Sequence, residues 1–242
     1  MNEKQKIAKI IQFLKKQIGN KPVVIGLSGG IDSALVAYLA VKALGSKKVF
    51  GLIMPSTTNN KDDLRLAKQV AQKNHILYSI FNIQSILNSY QMIIRSKDLK
   101  INGNLKARIR MSLLYTKANE INGMVLGTGN KSELMTGYFT KYGDGGVDLL
   151  PIGDLYKTEV RQLANYLNIP KEIIDRPPTA GLWEGQTDEK EMGITYETLD
   201  KILEAIEKKK SLAEFNRQDV KKIKKMIEYT EHKRKLAPIC KL

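Results

Sequence analysis

The stretch that most constrains this chain is Val23-Val24-Ile25-Gly26-Leu27-Ser28-Gly29-Gly30-Ile31-Asp32-Ser33. A β-branched apolar run enters a Ser-Gly-Gly turn, and a helical pattern, Ala34 to Leu44, begins directly after it. A strand that feeds a glycine turn at a helix start forms an anion site. The glycines permit a turn in which successive N–H groups point at one place. Ser28 and Ser33 add hydroxyls, and the helix start adds partial positive charge. The turn holds no lysine, so it is not the Gly-x-x-x-x-Gly-Lys-Ser/Thr phosphate loop. It holds an acid, Asp32, where phosphate would sit. A carboxylate beside phosphates calls for a bridging cation, and Mg²⁺ is held by one or two carboxylates plus phosphate oxygens. The alternative, an ordinary tight turn with Asp32 and Ser33 as helix caps, leaves the whole pattern unexplained.

The rest of the chain supports a parallel sheet. Residues 49–55 read as a second buried strand and 75–83 as a third strand, separated by an amphipathic helix over 62–74. Strand and helix alternate from residue 21 to 83, which implies βαβ units. Ligands on such sheets bind beyond the carboxyl ends of the strands, where the 26–33 loop lies. A fourth strand, Met124 to Gly129, ends in a second glycine turn, Gly127-Thr128-Gly129, before a helix over 131–137.

Further helices are expected over 3–18, 83–95, 104–122, 155–167, 195–209 and 219–235, with 96–103 read as a polar break. His75 reads as a packed or exposed strand-opening residue. Residues 138–154, with Lys141-Tyr142-Gly143-Asp144-Gly145-Gly146-Val147-Asp148, read as a functional loop. Residues 174–193 lack periodicity, and a disordered lid is expected there.

A chain of 242 residues suits one domain: a nucleotide-binding α/β core over 20–170, a mobile loop over 171–195 and a helical carboxyl-terminal part over 196–242. Its one cysteine, Cys240, precludes an internal disulfide and fits a reducing cytoplasm. No apolar run is long enough for a membrane span, and the first sixteen residues lack the pattern of a secretory signal. The net charge of +15 comes mostly from scattered lysines, since only 8 of 40 basic residues are Arg. Arg is the residue suited to phosphate forks and base reading, so a lysine-coated surface is favoured over a nucleic-acid partner.

The octet Gly26 to Ser33 resembles the signature of the ATP pyrophosphatases, the adenylating PP-loop enzymes. Four further segments narrow the resemblance: residues 103–111 (Gly-Asn-Leu-Lys-Ala-Arg-Ile-Arg-Met); Leu126-Gly127-Thr128 with Glu133; residues 136–151 around Thr140-Lys141-Tyr142-Gly143-Asp144-Gly145-Gly146; and Pro178-Thr179-Ala180 with Glu231-His232-Lys233-Arg234. Together, from about residue 20 onward, these resemble the ammonia-dependent NAD synthetases. The resemblance implies a doubly wound parallel sheet with flanking helices, like that of the adenine nucleotide alpha hydrolases, and a helical carboxyl-terminal extension. It also implies a C–N ligase that adenylates the nicotinate carboxylate of deamido-NAD with ATP, releases pyrophosphate, and lets ammonia displace AMP to give NAD.

By the resemblance, Gly26, Leu27, Ser28, Gly29, Gly30, Ile31, Asp32 and Ser33 hold ATP with Thr128, Lys157 and Thr179. Asp32 and Glu133 ligate Mg²⁺, and Asp32, Lys157 and Thr179 act in catalysis. Arg108, Lys141, Asp148, His232 and Lys233 take deamido-NAD. No residue stands out as a base for ammonia. The resemblance implies a homodimer too, with helix 104–122 the candidate interface. Two departures bear on the site: Ile53-Met54-Pro55 lacks the Arg that many relatives carry before this proline, and Leu114-Tyr115 replaces Gln-Tyr. No amidohydrolase segment is present, so ammonia is expected as the direct nitrogen donor. A PP-loop enzyme acting on RNA would explain the charge, but against it stand the missing cysteines that thiolation needs and the absence of an appended RNA-binding module. A non-catalytic nucleotide sensor would be expected to have lost Asp32 or Glu133, and both are present.

Overall fold

The computed structural model describes residues 1–57, 61–179, 181–183 and 185–241. Four parallel strands, β1 (Val23–Gly26), β2 (Val49–Ile53), β3 (Leu77–Ile80) and β4 (Met124–Leu126), lie in the order β3-β2-β1-β4. Val23 pairs with both Val49 and Met124, so β1 is central. Residues just after β4 and β1 therefore emerge side by side at the carboxyl edge. The side chains alternate across the sheet. Val23, Ile25, Val49, Ile53 and Leu126 join one core with α1 (Glu3–Ile18), α2 (Ile31–Leu44), α3 (Lys61–Lys73) and α7 (Lys157–Tyr166). Val24, Leu52 and Val125 join the opposite core with α4 (Gln84–Ile94) and α5 (Leu99–Glu120). Helices thus cover both faces, as buried parallel strands require. The expected doubly wound α/β architecture is the one observed.

A third cluster packs α6 (Lys131–Thr136), α9 (Asp188–Met192), α10 (Tyr196–Glu207) and α11 (Arg217–Tyr229) around Tyr196, Leu199, Leu203 and Ile223. Among the described residues, no helix is long and apolar enough to cross a membrane.

Three local expectations are corrected. The polar break expected over 96–103 is shorter: α4 ends at Ile94, and Asp98 accepts from the amides of Lys100 and Ile101 and starts α5 at Leu99. Gly103 lies inside that helix, where Leu182 and Trp183 leave little room for a side chain; a Cβ would meet Leu182 at 3.1 Å. Residues 174–193 are not patternless. Besides α8 (Lys171–Ile174), Thr187 caps the short helix α9, and the Asp188 amide donates to the Pro178 carbonyl at 3.0 Å. Ala180 and Glu184 of this stretch, and Thr58, Asn59 and Asn60 of the 56–60 loop, lie outside the described residues. The single helix over 219–235 divides at Thr230, whose hydroxyl bonds the Thr136 and Met226 carbonyls, giving α11 and α12 (Glu231–Arg234). His75 is exposed, with a positive φ, before β3.

Candidate active site

At the carboxyl edge, the loop from β1 to α2 folds tightly on itself. Leu27 and Ile31 point into the core. The Ser28 and Ser33 hydroxyls lie 3.1 Å apart, and the Gly30 amide donates to Ser28 Oγ at 3.2 Å. Gly29 has φ of +82°, and a Cβ there would stand 2.5 Å from the Asp63 carbonyl oxygen of α3. Only glycine satisfies both conditions. Gly30 has no such need: its backbone is extended, and it stands at the N-cap of α2.

Three charged side chains from three helix starts meet beside this loop. Lys157, the first residue of α7, places Nζ 2.5 Å from Asp32 Oδ2 and 3.8 Å from Glu133 Oε1. Asp32 comes from the first turn of α2 and Glu133 from that of α6. The Lys157 side chain is only 2 % exposed, and both carboxylates are 18 % exposed. Burial works against a charged lysine, yet the Asp32 and Glu133 carboxylates outweigh it and hold Lys157 above its ordinary range. Burial, then repulsion from Asp32, pushes the Glu133 carboxyl upward, with Lys157 opposing.

Residues that sequence reasoning missed complete this cluster. Asn130 caps α6 in a reciprocal box with Glu133, and its amide donates to Asp32 Oδ1 at 3.0 Å. The Asn-x-x-Glu spacing was a readable sign of that cap. Tyr196 lies under the Lys157 ammonium, 5.3 Å from ring centroid to Nζ, and its hydroxyl donates to Asp188 at 3.0 Å. Asp188 is buried and adds a third negative charge felt by Lys157 and Glu133. No local sequence signal links residues 188 and 196 to residue 32.

Among the described residues, no three acid, histidine or cysteine groups form a ready cage for a metal. Asp32 and Glu133 supply two hard oxygen ligands beside an anion loop. This donor set fits Mg²⁺, which keeps several waters and needs only one or two carboxylates besides phosphate oxygens.

Thr128 lies two residues beyond Leu126, which pairs with Ile25, and so faces the same edge. The Thr179 hydroxyl is exposed and accepts from the Gly181 amide at 3.0 Å. The described part of its loop is moored to α5, where the buried Lys106 ammonium donates to the Leu182 carbonyl at 2.8 Å. The departure at Met54 also has a counterpart: Arg110 Nε, from α5, donates to the Met54 carbonyl at 3.1 Å.

A second group forms between α5, the 138–154 loop and α12. Arg108 donates to the Lys141 carbonyl at 3.4 Å, and Lys141 Nζ to the His232 carbonyl at 2.7 Å. Lys233 Nζ donates to the Gly137 and Phe139 carbonyls, both at 2.7 Å. Four of the five residues assigned to deamido-NAD therefore stand together. Asp148 is held by other partners. It accepts from Tyr115 Oη at 3.0 Å and from the Val125 amide at 2.7 Å, along the outer edge of β4.

The sequence matches the model of the family described as NAD synthase over residues 4–237. It is 49% identical over 248 residues to an NH(3)-dependent NAD(+) synthetase of Archaeoglobus fulgidus, covering 100% of this chain and 98% of that protein. Among solved structures, a chain titled NMN synthetase from Francisella tularensis superposes with a TM-score of 0.92 at 37% identity, with both chains fully covered. An NH3-dependent NAD synthetase from Campylobacter jejuni gives 0.86 at 36% identity, again with full coverage of both. With its parallel sheet, its glycine loop and this match over nearly its whole length, the chain belongs to the NAD synthase family of ligases.

Proposed function

We propose that this protein forms NAD from deamido-NAD and ammonia, using ATP and Mg²⁺ and releasing AMP and pyrophosphate. The observation that carries this reading is the meeting of Lys157, Asp32 and Glu133 beside the 26–33 loop. A carboxylate is a poor electrophile. One of its oxygens attacks the α-phosphorus of ATP, and the α–β bridge breaks to expel pyrophosphate. Ammonia then attacks the acyl carbon, a C–N bond forms, and AMP leaves with the former carboxylate oxygen.

Asp32 and Glu133 would hold Mg²⁺, which neutralises phosphate charge when bound. Lys157, kept charged by its neighbours, stabilises the negative charge that grows on the phosphates. The loop amides, Ser28, Ser33, Thr128 and Thr179 take the remaining ATP contacts. Arg108, Lys141, His232 and Lys233 supply cations and backbone for the dinucleotide acid, with Asp148 set at the sheet edge. None of these is a dedicated base, so positioning and charge stabilisation carry the reaction.

A homodimer forms part of the same reading, and exposed apolar side chains support a second candidate face for it besides helix 104–122. Among the described residues of 104–122, no large apolar side chain is exposed. By contrast, Leu77 and Phe81 around β3, Tyr90, Met92 and Ile93 of α4, and Leu99 at the start of α5 all are. Exposed apolar side chains on neighbouring elements suit a protein contact, and a second copy is the cover we propose for them. Cytoplasmic residence accords with the single cysteine, Cys240.

The likeness to the NMN synthetase of Francisella tularensis favours one alternative, amidation of the mononucleotide acid. Purified protein is incubated with ATP, Mg²⁺ and ammonium, and with either deamido-NAD or nicotinate mononucleotide, and products are read by mass. The reading predicts NAD, one AMP per NAD, and no product from Asp32→Ala. NMN as the dominant product selects the alternative, and neither product refutes both.

A further inference from the structure

Two of the three helix starts that supply the site, those of α6 and α7, are fastened together by a single carboxylate on α10. Glu133 is the third residue of α6 and Lys157 the first of α7. First-turn amides have no partner inside their own helix. Here they are satisfied across the junction. The Lys157 amide donates to Ser132 Oγ at 3.0 Å, and the Thr158 amide donates to Asp200 Oδ2 at 2.8 Å. Ser132 Oγ in turn donates to Asp200 Oδ1 at 2.5 Å. Ser132 is wholly buried, and Asp200, on α10, is 5 % exposed. One carboxylate therefore ties the start of α6 to the start of α7, one residue from Glu133 and one residue from Lys157.

A buried carboxylate is a costly way to join helices, and an apolar contact would serve stability as well. What the carboxylate adds is register. Two amide-to-oxygen bonds and one hydroxyl-to-carboxylate bond fix how far each helix start advances toward Asp32. Asp200 accepts an amide at the positive start of α7, which favours its carboxylate there, while burial pushes its carboxyl upward. Nζ of Lys157 and Oε1 of Glu133 stand 3.8 Å apart across this junction. A shift of either helix start changes that spacing directly.

We propose that Asp200 and Ser132 are positioning residues, setting Glu133 and Lys157 at the spacing that Mg²⁺ and the ATP phosphates require. This rests on the ATP- and Mg²⁺-dependent reading above. Neither residue touches substrate; each acts through the backbone that carries Glu133 or Lys157.

The test compares wild type with Asp200→Asn and Ser132→Ala. Calorimetry measures Mg²⁺–ATP binding without the acid substrate, and initial rates are followed against ATP, Mg²⁺ and deamido-NAD. Asp200→Asn is expected to weaken Mg²⁺–ATP binding about tenfold and to lower kcat by about as much, since small misplacements are costly in a positioned site. Its KM for deamido-NAD should stay within about twofold of wild type. Ser132→Ala should shift the same constants in the same direction by less, and it carries the test if Asp200→Asn does not fold. Wild-type Mg²⁺–ATP affinity and rate in Ser132→Ala, with only a lowered Tm, would overturn the proposal. So would an equal loss for ATP and deamido-NAD, which marks general damage. A wild-type protein that binds no Mg²⁺–ATP overturns the functional reading itself, and this proposal with it.

Discussion

The two charged regions of this molecule are built in opposite ways. Around Asp32, unlike charges face one another: an ammonium, two carboxylates and an amide stand within hydrogen-bond or near-contact distance, all carried on helix starts. Around Lys141 and Lys233, cations face backbone carbonyls of segments far away in sequence. The first region is held by charge pairing, which on the proposed reading exchanges partners with a cation and phosphates. The second is held by chain crossing, so each lysine has both a structural bond to keep and a charge to offer. Loss of a group should therefore damage chemistry in the first region and substrate affinity in the second.

The largest effect is expected from Lys157→Met. Removing the ammonium leaves Asp32 and Glu133 facing each other with no lysine between them. Breaking a buried pair costs roughly 3 kcal/mol, visible as a lower Tm in Mg²⁺-free buffer. Loss of a phosphate-facing cation should lower kcat for pyrophosphate release by about 10²–10³. A Tm loss with unchanged kcat would make this region structural and erase the contrast.

Next in size is Lys141→Ala. The His232 carbonyl loses its donor and the dinucleotide loses a cation. KM for deamido-NAD should rise about tenfold, equivalent to ~1.4 kcal/mol, with KM for ATP within about twofold. Steady-state rates with each substrate varied decide this, and equal rises in both constants would count against the assignment.

The smallest effect is expected from Asp148→Asn. Both carboxylate oxygens already bond inside the protein, to Tyr115 and Val125. The variant should lose about 1 kcal/mol of stability, the scale of one hydrogen bond, and change KM for deamido-NAD by less than about twofold. Thermal melts and kinetics run together separate the two. A tenfold KM change would instead show that Asp148 gives up an internal bond to hold the substrate.

How much of this could be read beforehand follows the same contrast. The β1 run, the Gly29 turn and the buried helix α2 are local, and their periodicity and glycine spacing were legible. So was the alternation that builds a parallel sheet. The start of α5 was misread because Gly103 resembles a helix breaker; its real constraint, the approach of Leu182 and Trp183, comes from a segment some eighty residues away. The division at Thr230 has the same origin, a bond to the Thr136 carbonyl across the fold. Within the site, Asp32 and Glu133 stood in recognisable motifs. Asn130 was readable from its capping box but was overlooked. Asp188, Tyr196 and Asp200 had no local signature, since their role depends on where α9 and α10 pack.

The central claim is that an acid is activated by transfer of AMP before ammonia attacks. Deamido-NAD labelled with ¹⁸O in its nicotinate carboxylate tests this directly. After turnover with ATP, Mg²⁺ and ammonium, the AMP phosphate is predicted to carry one ¹⁸O per NAD formed. NAD formed alongside unlabelled AMP would contradict the account.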